Sequence, residues 1–187
     1  MRNLSLQEIH EQCLYTTQKI IQGFGWGSIV VSALSQTDKN YLHKESDNAV
    51  LNWRWGMEHY HGSANDDGIL DISLKSTKAN DPGALHAAII CKYDARREEF
   101  AICMLENLIT DEHSALTGNV FIIALVYSTI FCSMMELEDV VIENPLEEIK
   151  PRYRAYGFSH VFYAPNKMSS SVADIQAMIR REVMSMT

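Results

Sequence analysis

Few side chains in this sequence are of a type and at a spacing that could do chemistry. Tyr153 stands four residues before the Gly157-Phe158 step in "RYRAYGF" (152–158), shortly after an apolar run that ends in Asn144-Pro145. Glu106 closes the uncharged run of "AICMLE". A carboxylate placed at the end of such a run suits the removal of a proton from an attacking group. His59 and His61 flank Tyr60 in "HYH" and could supply two metal ligands, but a zinc site needs more convergent ligands than these and no further one is evident. Ser114 follows His113, yet adjacent residues do not face each other on a helix, so a nucleophile–base pair is excluded there. No P-loop, dinucleotide-binding fingerprint or paired-carboxylate signature is present.

These residues need elements to hold them. Residues 5–22 carry Leu6, Ile9, Cys13, Ile20 and Ile21 near helical spacing, with Ser5 and Glu8 as a capping box. "GFGWG" (23–27) breaks that helix. Residues 28–47 read as a short helix and a polar loop, and 48–61 as a helix whose Trp53, Trp55, Met57 and Tyr60 could wall a pocket. Runs at 69–75, 84–93 and 99–108, separated by the turns "NDPG" and "DARRE", predict an antiparallel meander. A buried helix is expected over 118–135, a strand over 139–144, and a helix over 145–156 with Pro145 at its first position. A strand over 158–164 and an amphipathic helix over 170–186 complete the chain. This order predicts one α/β (α+β) domain over 1–187: a helical part (1–65), a sheet core (69–164) and a final helix (170–186). The sheet is mixed, mostly antiparallel, with helices on both faces.

The segment from about 69 to 164 resembles the GNAT superfamily of acyl-CoA-dependent N-acyltransferases. The resemblance rests on the element order and on Tyr153, Gly157 and Phe158, which match that family's Tyr-x-x-x-Gly-Phe pattern, with Asn144 ending the preceding strand. The stretch "DEHSALTGNV…ENP…YRAYGF" also resembles a divergent GNAT-like group found among proteins of bacterial mobile elements. The resemblance implies an acyl-CoA such as acetyl-CoA as cofactor, lying in a splay between the strands at 99–108 and 139–144. It implies a small-molecule or protein amine as acceptor. Tyr153 would protonate the leaving thiolate and Glu106 would deprotonate the amine. Leu108, His113, Ala115, Leu116, Thr117, Gly118, Asn119 and Asn144 would line the cofactor site. Backbone N–H groups near the buried helix's start would hold the pyrophosphate.

Two features run against tight cofactor binding. Leu116 occupies the place of the first glycine in the family's phosphate loop, and Asp111 and Glu112 lie beside it. From Glu98 through Glu148 there are eleven acidic residues and no Lys or Arg, leaving 16 basic against 13 acidic residues elsewhere. A GNAT-fold binding module without transfer activity is therefore the alternative, and compensation for an anionic cofactor is expected from Arg152, Arg154, Lys167 or the final helix.

The remaining bounds are broad. The net charge of −8 argues against nonspecific nucleic-acid binding. Four dispersed cysteines without a CxxC pair read as reduced residues of a cytoplasmic protein. The uncharged segment 119–135 is too short for a membrane span. Val172, Ile175, Met178, Ile179 and Val183 form a stripe on the final helix. "APN" (164–166) reads as a break where the family commonly adds a last strand, so an open sheet edge and a homodimer are further expectations.

Overall fold

The computed structural model describes residues 4–44, 49–60, 68–108, 116 and 118–185. Helix α1 (Leu6–Gly23) starts where expected. Ser5 Oγ accepts the Glu8 N–H at 3.2 Å while Glu8 Oε1 faces the Ser5 N–H at 3.4 Å, the reciprocal cap that satisfies two orphan donors. Strand β1 (Ile29–Ser32) follows, then α2 (Gln36–Lys44) and α3 (Trp53–His59). The meander is β2 (Gly68–Ser76), β3 (Ala87–Asp94) and β4 (Glu99–Asn107). Helix α4 (Val120–Met134), β5 (Asp139–Glu143), α5 (Lys150–Arg154), β6 (Ser159–Val161), β7 (Ala164–Ser171) and α6 (Val172–Ser185) complete the order.

The seven strands form one sheet in the order β1-β2-β3-β4-β5-β7-β6. Every neighbouring pair is antiparallel except β4 and β5, which are parallel and joined through α4. Alternation along the strands sends Ala87, Ile89 and Cys91 to one face and Ala88 and Ile90 to the other. The first face is closed by α1, α4 and α6, with α4 between the other two helices. Twelve of the fifteen α4 residues are buried. Each fully buried Leu, Ile or Phe contributes roughly 1.5–3 kcal/mol. The second face holds a smaller cluster around Leu42, Trp53, Tyr60, Ile90 and Met104, supplied by α2 and α3.

Several expectations are corrected. Residues 29–32 form an edge strand and not a helix or loop, because Ile29 and Val31 bury their side chains while the backbone pairs with β2. The helix expected over 145–156 is the single turn α5, with Pro151 in its first turn. Asn144 takes a left-handed φ of 52° and turns the chain before Pro145. The last strand is present. Residues 164–171 form β7 between β5 and β6, so the expected break at Pro165 and the open edge beside β5 do not exist. Pro165 fits because the β6–β7 register shifts between His160 and Val161 and pairing with β5 starts only at Lys167. Helix α6 covers its own domain, with Ile175 and Ile179 buried and Val172, Met178 and Val183 packed on the core.

Candidate active site

The site originates in a defect of the ladder. Ile90 pairs with Met104 and Cys91 with Ile102, so Cys103 is an extra residue in β4. A bulge bends its strand. Strands β4 and β5 pair only at Ala101–Val141 and Ile102–Ile142 and then part. The opening between them is a cavity of about 260 Å³. Its walls are Ile102 to Leu105 from β4, Ile142 to Leu146 at the end of β5, Phe121 from the first turn of α4, Tyr153 from α5, and Trp55 and Tyr60 from the α3 region.

Tyr153 reaches this cavity because its turn is held at both ends. The Phe158 N–H donates to the Tyr153 carbonyl at 3.2 Å and the Gly157 N–H to that of Arg154 at 3.0 Å. Gly157 has φ 86°, and a Cβ there would lie 2.8 Å from Ser170 Oγ. Only glycine meets both conditions without strain. Phe158 is buried, and the Phe121 ring lies 5.0 Å from that of Tyr153. Tyr153 itself is only 7% exposed. Burial pushes its phenol above the usual tyrosine range, against the opposing charge of Arg152. The hydroxyl therefore keeps its proton at neutral pH.

Arg152 joins this turn to the start of α4. Its Nη2 donates to the Gly118 carbonyl and its guanidinium sits 5.7 Å from the centre of the Phe121 ring. Gly118 has φ 79° with open space where a Cβ would stand.

The opposite wall is polar at one place. Asn144 continues the sheet by donating its N–H to the Asn166 carbonyl at 2.7 Å, and its side chain lies near enough to Tyr60 to oppose the upward push that burial gives that phenol. That hydroxyl also meets the Cys103 thiol. Burial and then the Glu143 carboxylate push Cys103 up to about 12, so it is a thiol and not a nucleophilic thiolate at neutral pH. Glu143 lines the cavity, with Oε2 2.8 Å from Lys92 Nζ. Burial alone would lower the Lys92 ammonium, but the bond and charge of Glu143 outweigh it and raise it.

The residues singled out in the sequence divide into four groups. Tyr153 and Asn144 meet in the cavity, and Gly118 and Asn119 lead into α4 beside it. Glu106 lies elsewhere. Its Oε1 accepts from the Leu51 N–H (2.8 Å) and the Trp53 indole (3.0 Å), and its Oε2 from the Val50 N–H (2.8 Å). It clamps the start of α3 to β4. Gly56 permits the close approach, since a side chain there would run into the Met104 sulfur. Leu108 also points away from the cavity, with its side chain in the α2–α3 cluster and its N–H on the His86 carbonyl. Leu116 is 0% exposed within the main core, so its side chain does not obstruct the loop surface. His113, Ala115 and Thr117, with Asp111 and Glu112, lie outside the described residues, as does His61. Among the described residues no three potential ligands gather around a metal position. Glu143 had been read only as part of the acidic run. The alternation of "DVVIE", which puts Asp139, Val141 and Glu143 on one face, was the available signal.

No family model and no curated protein matches the sequence. Solved structures do. An uncharacterized protein from Bacillus halodurans aligns with a TM-score of 0.59 at 12% identity, covering 84% of this chain and 91% of its own. The spermidine/spermine N-acetyltransferase SpeG from Vibrio cholerae aligns at 0.55 and 12% identity, covering 80% and 97%. AtaTR, bound with acetyl-CoA, aligns at 0.53 and 10% identity, covering 81% and 98%. The fold is that of the GNAT acetyltransferases. In the GNAT fold of this chain, α1 and α6 lie on either side of α4. No helix among the described residues is long and apolar enough to cross a membrane.

Proposed function

We propose that this chain is an acyltransferase that moves an acyl group from an acyl-CoA to an amine. The observation that carries this reading is the cavity opened by the β4 bulge, with a protonated tyrosine on one wall and the start of α4 at its end. The fit to an acyl-CoA is favourable in three respects. The parted β4 and β5 edges offer backbone groups to an amide-bearing pantetheine arm. Gly118 leaves space at the start of α4, where backbone N–H groups and the helix dipole favour a pyrophosphate. Arg152 supplies a cation beside it. Gly118, Asn119 and Asn144 are the described residues that would hold the group, and His113, Ala115, Leu116 and Thr117 would contribute through the backbone of the same loop.

The acyl-CoA supplies an activated thioester. The chain's own part is to orient the reactants, which accounts for most of the gain in such transfers, and to deliver the Tyr153 proton to the departing sulfur. Glu106 contributes by holding α3, and with it Trp55 and Tyr60, over the cavity. The GNAT-fold relatives support the donor and acceptor classes: SpeG is a spermidine/spermine N-acetyltransferase and AtaTR was solved with acetyl-CoA. The alternative of an inert binding module loses one of its supports with the inward placement of Leu116.

The test is direct. Acetyl-CoA should raise the melting temperature, because a ligand that binds only the native state must stabilise it. With spermidine or a peptide bearing a free α-amine, free CoA thiol should then accumulate. No rise in melting temperature at millimolar acetyl-CoA overturns the reading; a rise without thiol release from any amine leaves the binding module.

A further inference from the structure

The two edges of the sheet are finished differently. At β1 the outer edge is already occupied. The Gln18 side chain of α1 donates from Nε2 to the Ile29 carbonyl at 2.8 Å and accepts the Val31 N–H on Oε1 at 2.8 Å, as a neighbouring strand would. Such blunting keeps an edge from pairing with another chain. The β6 edge has no equivalent. Among the described residues no hydrogen bond outside the β6–β7 ladder reaches Ser159, His160 or Val161. The strand then ends in a two-residue turn, with Val161 paired to Ala164. Turns of this length favour Gly, Asn or Asp. Here the two residues are Phe162 and Tyr163, 100% and 88% exposed, and neither has a positive φ. The turn gives no reason for two aromatic rings, and both stand in water.

Charge, register and area point to one occupant. In a chain of net charge −8, residues 158–166 contain no Asp, Glu, Lys or Arg, the depletion that marks the centre of an interface. A twofold axis through His160, normal to the sheet, sets two copies of β6 antiparallel. His160 then faces His160, and Ser159 faces Val161. Continued outward, that register carries the Phe162–Tyr163 tip of each copy to residues 155–158 of the other. Ala155 and Gly157 are exposed there and small, and Gly157 is kept small by its φ of 86° and by Ser170 Oγ behind it. One patch thus carries both the projecting rings and the shelf that receives them, as an isologous interface requires. Four rings at about 150–250 Å² each bury about 600–1,000 Å². The paired strand residues add to this and bring the total toward the ~1,200 Å² at which specific interfaces begin. An extended foreign peptide would satisfy the edge but has no matching tip for the shelf. We propose that two copies of this chain associate through an antiparallel β6–β6 pair into one continuous sheet, locked by Phe162 and Tyr163. The assembly is independent of the acyltransferase reading and stands or falls without it.

Size-exclusion chromatography with light scattering tests this on the full chain. Wild type at micromolar concentration should show twice the chain mass. Phe162→Ser with Tyr163→Ser changes two exposed residues, so the fold should keep a cooperative melt. Its dissociation constant should rise roughly a hundredfold or more, the loss expected when central aromatic anchors are removed. A second pair of variants tests the register. His160→Glu and His160→Lys each set like charges directly opposite one another across the axis, which is destabilising, and each alone should be monomeric. Mixed in equal amounts they should regain the double mass, because opposite charges then face each other. A monomeric wild type overturns the proposal. So does a dimer that survives the loss of both rings, and so do charge variants that stay dimeric alone or fail to associate when mixed.

Discussion

On one face of the sheet, α1, α4 and α6 close over an unbroken apolar layer from Ile9 to Ile179. On the other, α2 and α3 supply a small cluster around Trp53, and the β5–β7 half carries the charged pairs Lys92–Glu143 and Glu99–Lys167 instead of a helix-covered core. Stability and chemistry are therefore separated across a single layer of strands. The cavity sits where the two meet, bounded by Phe121 and Ile142 from the first face and by Trp55, Tyr60 and Glu143 from the second. Mutations that act on one property without the other are the means to test this separation.

The largest effect is expected in the closed face. Phe131 is fully buried, with its ring 5.0 Å from that of Phe100. Phe131→Ala should cost about 3–5 kcal/mol in urea unfolding and leave the acetyl-CoA affinity of the folded fraction unchanged. Leu116 separates two pictures of the loop. As a core residue, its change to Ala should cost about 2–5 kcal/mol. A gain in cofactor affinity without loss of stability would instead return its side chain to the surface.

Tyr153→Phe removes one hydroxyl and almost no volume. Turnover should fall on the order of a hundredfold, with acetyl-CoA binding by calorimetry nearly intact. Unaltered turnover would take Tyr153 out of the reaction. Glu106→Gln replaces a carboxylate that accepts from three N–H groups. Stability should drop by roughly 1.5–3 kcal/mol, while the rise in melting temperature with acetyl-CoA persists. Abolished turnover with unchanged stability would mean that this carboxylate does reach the reacting amine.

The smallest effect is a pH dependence seated in the α1–α4 contact. His10 is buried with Nδ1 2.6 Å from the Tyr127 hydroxyl, and burial lowers its pKa below the usual 6.5. A depressed value means that the unfolded chain takes up the proton first. The contribution is present above pH 6.5 and lost as pH falls through the lowered value. His10→Gln should flatten that part of the melting-temperature profile.

What the sequence discloses follows from how local each signal is. The capping box at Ser5, the meander turns and the apolar continuity of α4 depend on neighbours along the chain, and they match the structure. Tyr153 and Asn144 were legible because the resemblance ties each to a position in the motif. Strand β1 was hidden because four residues are too short for an alternation to emerge. Strand β7 was hidden because Pro165 and Asn166 signal a break when read alone, and only the shifted register beside β6 explains their tolerance. The clamp made by Glu106 was not legible because its spacing says nothing of the three donors that approach from residues 50–53. Glu143 was overlooked because an extra residue in another strand, Cys103, creates the opening that it faces.

The insertion of β7 between β5 and β6 also bears on how the chain matures during synthesis. The first four strands pair with their neighbours in sequence and can assemble as they emerge. Strand β5 obtains its antiparallel partner only from residues 167–171, in the last of the seven strands to emerge. Folding during translation proceeds from the N-terminal side, so a ribosome-bound chain would hold a half-built sheet with one wall of the cavity unsupported. Competence for any ligand would be acquired only once β7 has emerged and paired, and chains stalled before residue 167 would lack that wall.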